Sequence, residues 1–370
     1  MPSTEFVVDL RAIARNLETV RTRGGGRAVI AAIKADAYGH GLVPVAKHLE
    51  PDVLGFGVAT VHEALTLREA GIGCMLLKLS PALAEELPSA IVGDVSLVVG
   101  SLRGIDVIAD AARQLGKVAK VHLSVDTGMR RVGVMPDEAR AAAVAIANYP
   151  HLHLEGVMTH YAVSDVEEGR EFTGQQRDRF AQAVAEVKQV CDVQWVHSGN
   201  SGAILNHDLS GDNAIRPGIA LYGSAPELNR DEQGLLEPVA RWTSRVTLVK
   251  HINEGDGVSY GLTWRAPRDT TIATVAVGYG DGFSRLNSSR GRVLIDGRSY
   301  PVVGRVCMDQ ILVDLGPETD IAEGADVVLL GASGNERITT HELADLMGTI
   351  PYEVTCLVTP RVKRRYLSGR

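Results

Sequence analysis

Aromatic residues are scarce in this chain: five Phe, three Trp and nine Tyr make up 5 % of its 370 residues. A surface that stacks nucleobases draws on more rings than that. Positive charge is not in excess either, since 38 Lys and Arg stand against 45 Asp and Glu, a net charge of −7 at pH 7. The chain therefore carries neither a basic footprint for nucleic acid nor a polybasic patch for a membrane surface. Its four cysteines, Cys74, Cys191, Cys307 and Cys356, form no C-x-x-C pair, which argues against a structural zinc site and against a disulfide framework. No apolar run approaches the roughly 18 residues of a membrane span. The opening residues Met1-Pro2-Ser3-Thr4-Glu5-Phe6 lack the charged and then apolar regions of a secretory leader. The expectation is a reduced, cytoplasmic protein with no metal, no nucleic-acid partner and no membrane partner.

What is present reads as two domains. Apolar residues at 45 % and charged residues at 22 % are ordinary for a globular protein, and 370 residues exceed what one core normally serves. Short apolar runs at Val29–Ala35, Leu54–Ala59, Cys74–Leu79, Val95–Val99, Ala119–Asp126, Leu154–His160, Trp195–Gly199 and Ala214–Tyr222 read as eight strands. Segments of helical periodicity separate them, among them Thr60–Ala70, Leu102–Leu115, Pro136–Ala147 and Thr173–Val190. Eight such βα units predict an α/β fold, a (β/α)8 TIM-type barrel over residues 1–237. No G-x-G-x-x-G follows the first strand, which disfavours a dinucleotide-binding sheet. Asp9 is positioned to cap a helix whose apolar face carries Leu10, Ile13, Leu17 and Val20. Beyond the Gly-, Pro- and acid-bearing stretch 226–238, β-type runs dominate: Ser244–Ile252, Thr271–Val277, Arg292–Ile295, Gln310–Asp314 and Asp326–Leu330, with one helix at Thr340–Met347. Residues 238–370 thus read as a mainly antiparallel β domain.

In a barrel of this kind the reactive groups belong just after the strand ends. Lys34 stands where the first apolar run meets its turn, followed by Tyr38-Gly39-His40-Gly41. A lysine at such a place needs compensation for its charge, and forming an imine with an aldehyde is one such compensation. Arg131 falls after the fifth strand, His160 after the sixth, His197 to Gly202 after the seventh and Arg216 in the eighth. Gly199–Gly202 and Gly218-Ile219, with Ser201 as a hydroxyl donor, suit a phosphate, because such sites follow strands seven and eight.

Taken together, these residues resemble the alanine racemase family. The most specific match is Ala32-Ile33-Lys34-Ala35-Asp36-Ala37-Tyr38-Gly39-His40-Gly41. It is supported by Asp126-Thr127-Gly128-Met129, Met158-Thr159-His160, the run Arg216 to Gly223, Val258-Ser259-Tyr260-Gly261, Val277 to Gly282, Gly304 to Gln310 and Pro351-Tyr352-Glu353. The resemblance implies pyridoxal 5′-phosphate as cofactor, held covalently by Lys34, with Tyr38, Asn200, Ser201, Gly218, Ile219 and Tyr352 around it. It implies Arg216 at the pyridine nitrogen, Arg131 at the phenolic oxygen and near the substrate, and His160 against the ring. An arginine at that nitrogen does not readily give up a proton and keeps the ring a weak electron sink. Lys34 and Tyr260 would be the two bases that act on opposite faces of a small amino-acid substrate. Tyr260 and Met308 would arrive from a second subunit, which implies a homodimer with shared sites. The implied reaction is the interconversion of L- and D-alanine, with D-alanine feeding cell-wall precursors. A preference for serine or another small amino acid, a cofactor-binding barrel without activity, and a decarboxylase of related architecture are the alternatives. Ser124 stands where many members carry a lysine whose carbamate positions the counterpart of Arg131. Either a bound anion or water fills that place, or Arg131 is held more loosely. Arg130, Lys78 and Trp264 are further departures.

Overall fold

A computed structural model describes residues 4–230, 232 and 234–368. By internal contacts the chain divides into two units. One is formed by Ile13–Ala37 and Gly41–Glu237, the other by the segment through Ala12, Tyr38–His40 and the chain from Pro238 onward.

In the first unit eight parallel strands follow one another: Ala28–Ala32, Gly55–Val58, Met75–Lys78, Ser96–Val99, Ala119–Ser124, Leu152–Met158, Trp195–His197 and Ala214–Ile215. The first seven pair in sequence order, and the eighth pairs with the first, Ala28 opposite Ala214. Asn213 N–H donates to Val196 O at 2.9 Å, so the seventh and eighth strands also meet and the barrel is nearly closed. The intervening helices, such as Val61–Glu69, Leu102–Gln114, Ala139–Ala147 and Arg170–Lys188, follow the expected pattern. Thr60 and Glu63 form a capping box at the first of these, and Ser101 caps the second. A buried cluster of Ile30, Leu77, Val98, Met158 and Ala214 joins five of the strands. The strands are near-continuous apolar runs because both of their faces are covered.

Two expectations for this region need correction. The eighth strand is two residues long, not nine, because Arg216 N–H turns aside to Gly199 O at 2.7 Å and Pro217 has no N–H to offer. Ile219–Tyr222 then forms a short 3₁₀ turn. The first strand ends at Ala32, so Lys34 opens the following turn and is not part of the strand.

The second unit is a nine-stranded sheet in the order Glu336–Ile338, Asp326–Ser333, Arg292–Ile295, Arg298–Val303, Ile311–Gly316, Thr270–Val275, Ala240–Ile252, Glu5–Asp9 and Lys363–Leu367. All neighbours are antiparallel except the last two. Ala240–Ile252 also pairs with Asp326–Ser333, so six of the strands close on themselves. The strand Glu5–Asp9 falls within residues 1–237, the span that reads as the barrel. It lies in this sheet instead, Phe6 opposite Trp242 and Arg364, because its two faces and both edges find partners there. Asp9 caps the helix Leu10–Arg23 as expected, its Oδ1 accepting Arg11 N–H at 2.9 Å and Ala12 N–H at 3.3 Å. Thr340–Met347 is helical as expected, and a further short helix, Pro351–Cys356, carries Tyr352.

Candidate active site

Lys34 begins a turn of unusual hand. Ala35, Asp36, Ala37 and Tyr38 all have φ between 53° and 55°, a left-handed helical turn built without glycine. Such a conformation costs about 1–2 kcal/mol for each residue that carries a Cβ. It is held by fixed acceptors. Glu63 Oε1 takes Ala35 N–H at 2.7 Å, Ile33 O takes Ala37 N–H at 2.8 Å, and Asp36 Oδ1 takes Leu42 N–H at 2.7 Å. The following Gly39 has φ 81°, and a Cβ there would lie 2.1 Å from Thr355 O, so only glycine fits. Tyr38 is buried, and its ring lies 6.1 Å from that of Tyr352. Burial, followed by the neighbouring Tyr352 and Cys356, pushes the Tyr38 phenol well above its usual range.

Arg216 is the most heavily bonded of the expected residues. Its Nη1 donates to His197 O at 2.6 Å and to His197 Nδ1 at 2.7 Å. Its Nη2 donates to Thr159 O at 2.6 Å, Ser198 O at 3.1 Å and His160 Nδ1 at 3.3 Å. The ends of the sixth, seventh and eighth strands thus clamp one guanidinium. Burial lowers its pKa to about 10, against the influence of Asp212, and it stays charged at neutral pH. Every one of these bonds uses Nη1 or Nη2. Nε–H has no acceptor among the described residues.

His160 is pushed down to about 3, first by burial and then by Arg216, Arg131 and Lys34. Three of the expected cations therefore converge on one neutral ring. Because the guanidinium only donates, His160 Nδ1 is the acceptor and its proton sits on Nε2. Arg131 is exposed and has no hydrogen-bond partner among the described residues. The Ser124 hydroxyl is buried and donates to Val132 O at 3.2 Å. It gives Arg131 no support, as its short side chain suggested.

After the seventh strand, Ser201 Oγ accepts Gly218 N–H at 2.9 Å and Ala220 N–H at 3.3 Å. The backbone N–H groups of Ser201, Gly202 and Ile219 have no acceptor among the described residues, and they suit an anion. Asn200 Oδ1 accepts Ala203 N–H at 3.0 Å and Ser164 Oγ–H at 2.8 Å, so it caps the short helix Ser201–Asn206. Lys78 is buried, and its ammonium staples its own loop through Ser80 O at 3.1 Å and Pro81 O at 2.9 Å. Trp264 packs beside Val258, Ile272 and Val303 in the β unit.

On that unit Tyr260 is 72 % and Met308 53 % exposed. Tyr260 stands on a strained turn, with φ of 63° at Ser259 and 47° at Leu262. Ser259 Oγ–H ties the turn to Arg305 O at 2.6 Å. The Met308 backbone is clasped by Gly278-Tyr279-Gly280: Gly280 N–H donates to Met308 O at 2.9 Å, and a Cβ on Gly278 would lie 2.3 Å from the same oxygen.

Residues 8–226 match the family model described as alanine racemase, N-terminal domain, and residues 239–366 match alanine racemase, C-terminal domain. The chain belongs to the alanine racemase family. A curated alanine racemase of Cutibacterium acnes is 44 % identical over 98 % of this chain and 97 % of its own length. One of Mycobacterium ulcerans is 41 % identical over 98 % and 94 %. The crystal structure of alanine racemase from a D-cycloserine-producing Streptomyces lavendulae matches with TM-score 0.92 at 34 % identity, over 100 % of this chain and 98 % of that one. The Bacillus anthracis alanine racemase, solved with bound L-Ala-P, matches with TM-score 0.91 at 35 % identity, over 100 % and 96 %. Like these relatives, the chain is an amino-acid racemase built on an α/β barrel with a following β domain. No helix among the described residues is long and apolar enough to cross a membrane.

Several residues that shape this candidate site were not singled out from the sequence. Glu63 holds the turn after Lys34. Asp212 Oδ2 takes Ser198 N–H at 2.6 Å and Gly199 N–H at 3.2 Å, which sets the loop after the seventh strand. His122, Glu155 and Ser96 extend the contacts of His197 into the barrel. A position of fully buried type held by a polar residue, as His122 between Val121 and Leu123, was the one available signal.

Proposed function

We propose that this racemase interconverts L- and D-alanine with pyridoxal 5′-phosphate, which Lys34 would hold covalently. The observation that carries the reading is the spare Nε–H of Arg216, the one donor of a fully engaged guanidinium left for a ring nitrogen. Ser201, Gly218 and Ile219, with Asn200 bracing their loop, would receive the phosphate together with Tyr38 and Tyr352. Arg131, which has no hydrogen-bond partner among the described residues, is left for the phenolic oxygen and the substrate carboxylate, and neutral His160 for the ring face. When bound, the cofactor supplies an electron-withdrawing system that eases loss of the proton at the α-carbon.

The protein's own work is to orient that system and to move the proton. Lys34 Nζ serves one face. On the other face Tyr260 serves through its hydroxyl, reaching the site from a second subunit as Met308 does. The large exposure of both residues supports a partner that covers them, and an isologous dimer of residues 238–370 against residues 1–237 would give two shared sites. A tyrosine with a pKa of about 10 needs cationic neighbours to work near neutrality, and Arg216 is the buried cation available. We place the protein in the cytoplasm, where D-alanine would enter cell-wall precursors.

Incubation with L-alanine in deuterated water tests the reading. Both enantiomers should appear with deuterium at the α-carbon. Carbon dioxide release, or no exchange at all, overturns it, and L-serine run in parallel reads the substrate range.

A further inference from the structure

Four polar side chains lie in a line inside the barrel, one from each of strands four to seven. Ser96 Oγ–H donates to Glu155 Oε2 at 2.5 Å, His122 Nε2 meets the same oxygen at 3.1 Å, and His122 Nδ1 meets His197 Nε2 at 2.8 Å. His197 Nδ1 in turn accepts from Arg216 Nη1. His122 and His197 are fully buried and Ser96 nearly so. The space for this line is made by the backbone: a Cβ on Gly156 would lie 2.4 Å from His122 Nδ1, and the pairing of the fifth and sixth strands shifts register between Val121 and His122.

The protons along the line follow from one end. A guanidinium cannot accept, so His197 Nδ1 is bare and its proton is on Nε2. His122 Nδ1 must then accept, which puts its proton on Nε2, facing Glu155. Both rings are neutral, consistent with the downward push that burial exerts on each. Burial alone would raise the Glu155 carboxyl, but the bonds from His122 and Ser96 hold it below its usual range. The line thus runs from a buried cation through two imidazoles to a buried carboxylate, and each bond polarises the next.

We propose that Glu155 is a positioning residue that acts through His122 and His197 to fix Arg216 and to weaken its Nε–H as a donor toward the cofactor ring nitrogen. The carboxylate makes His122 a stronger acceptor, His122 makes His197 a stronger acceptor, and His197 draws positive charge toward Nη1 and away from Nε. The inference rests on the assignment of Arg216 to the ring nitrogen and extends it by three residues.

The test uses the full chain loaded with pyridoxal 5′-phosphate labelled with ¹⁵N in the ring. In Glu155→Gln the ring resonance should move upfield, as for a more strongly hydrogen-bonded pyridine. In Ser96→Ala, which keeps the carboxylate and removes a competing donor, it should move downfield; this variant decides the matter if the first fails to fold. In the cofactor-free wild type, imidazole ¹⁵N spectra should show His122 and His197 both protonated at Nε2. A proton on Nδ1 of either ring, or an unchanged ring resonance in the folded, loaded variants, overturns the proposal. A wild type with no visible absorbance from Lys34-bound cofactor would overturn the assignment of Lys34 instead, and the imidazole spectra of the cofactor-free chain would still decide the relay.

Discussion

Glu63 Oε1 accepts the backbone N–H of Ala35, the residue that follows Lys34, at 2.7 Å, while Glu63 Oε2 takes Ala59 and Thr60 N–H at 2.8 and 3.1 Å. One carboxylate therefore fastens the left-handed turn to the loop after the second strand and closes the capping box of Val61–Glu69. Glu63→Ala should release about 1–2 kcal/mol of cap and hydrogen-bond stabilisation and let the turn relax. Cofactor affinity, followed by fluorescence titration of the cofactor-free chain, should weaken about tenfold or more, since about 1.4 kcal/mol is a factor of ten. Glu63→Gln keeps one acceptor oxygen and should fall between. Unchanged affinity in Glu63→Ala would show that the turn holds itself.

Arg130 carries a strain of the same kind with little in return. Its φ is 59°, its side chain is exposed, and its guanidinium lies 3.9 Å from Asp126, a surface pairing worth little. Asp126 Oδ1 holds the backbone by accepting Gly128 N–H at 2.9 Å and Arg130 N–H at 3.0 Å, bonds that do not depend on the side chain. Arg130→Gly should therefore stabilise the barrel by about 1 kcal/mol, the relief of a left-handed residue less the extra freedom of glycine in the unfolded chain. Thermal unfolding would register it as a small rise in midpoint. A fall would mean that the contact of Arg130 with Met135 Sδ matters more than the backbone.

The barrel was readable because each strand is a short apolar run closed by a turn and each helix carries its own signals, as Thr60 and Ser101 do at their N-termini. Its candidate site residues stood out for the same reason: Lys34, His160 and Arg216 are polar residues at the close of apolar runs. Four features were not readable. The left-handed turn of Ala35-Asp36-Ala37-Tyr38 has no local propensity behind it and depends on Glu63, far off in sequence. Glu5–Asp9 reads equally well as a strand of either unit, and only its two partner strands decide the matter. The line Ser96–Glu155–His122–His197 depends on strand register and on the missing Cβ of Gly156, which no local pattern reveals. The short helix carrying Tyr352 lacks the length for a periodic signal.

The buried imidazoles make stability depend on acidity. His160 is held at about 3, and His122 and His197 are also lowered, each by burial first, whereas an unfolded histidine titrates near 6.5. The native value being the lower one, stability is full above about pH 6.5. It is lost as the pH falls from there toward the native values, because the unfolded chain takes up protons that the native chain refuses. Each such ring contributes a slope of up to about 1.4 kcal/mol per pH unit across that window. The thermal midpoint of the cofactor-free chain should be flat from pH 8 to 7 and should drop steeply between pH 6 and 5. His160→Asn should lessen the slope, and a midpoint indifferent to pH in that window would contradict neutral, buried rings.

The proposed sharing of sites between two subunits makes a quantitative statement about mixtures. Lys34→Ala removes the amine of one subunit, and Tyr260→Phe removes the phenol of the other. Each variant alone should be close to inactive from L-alanine, and Lys34→Ala should also lose the visible absorbance of bound cofactor. In a heterodimer of the two, one site meets both lesions while the other receives an intact lysine from the Tyr260→Phe subunit and an intact tyrosine from the Lys34→Ala subunit. Random reassociation makes about half the dimers mixed, each with one good site, so activity should return to about a quarter of the wild-type value. If both residues of a site came from one subunit, no mixture could regain activity. The restored fraction, measured by chiral chromatography after co-refolding at equal concentrations, therefore decides whether Tyr260 serves its own subunit or its neighbour.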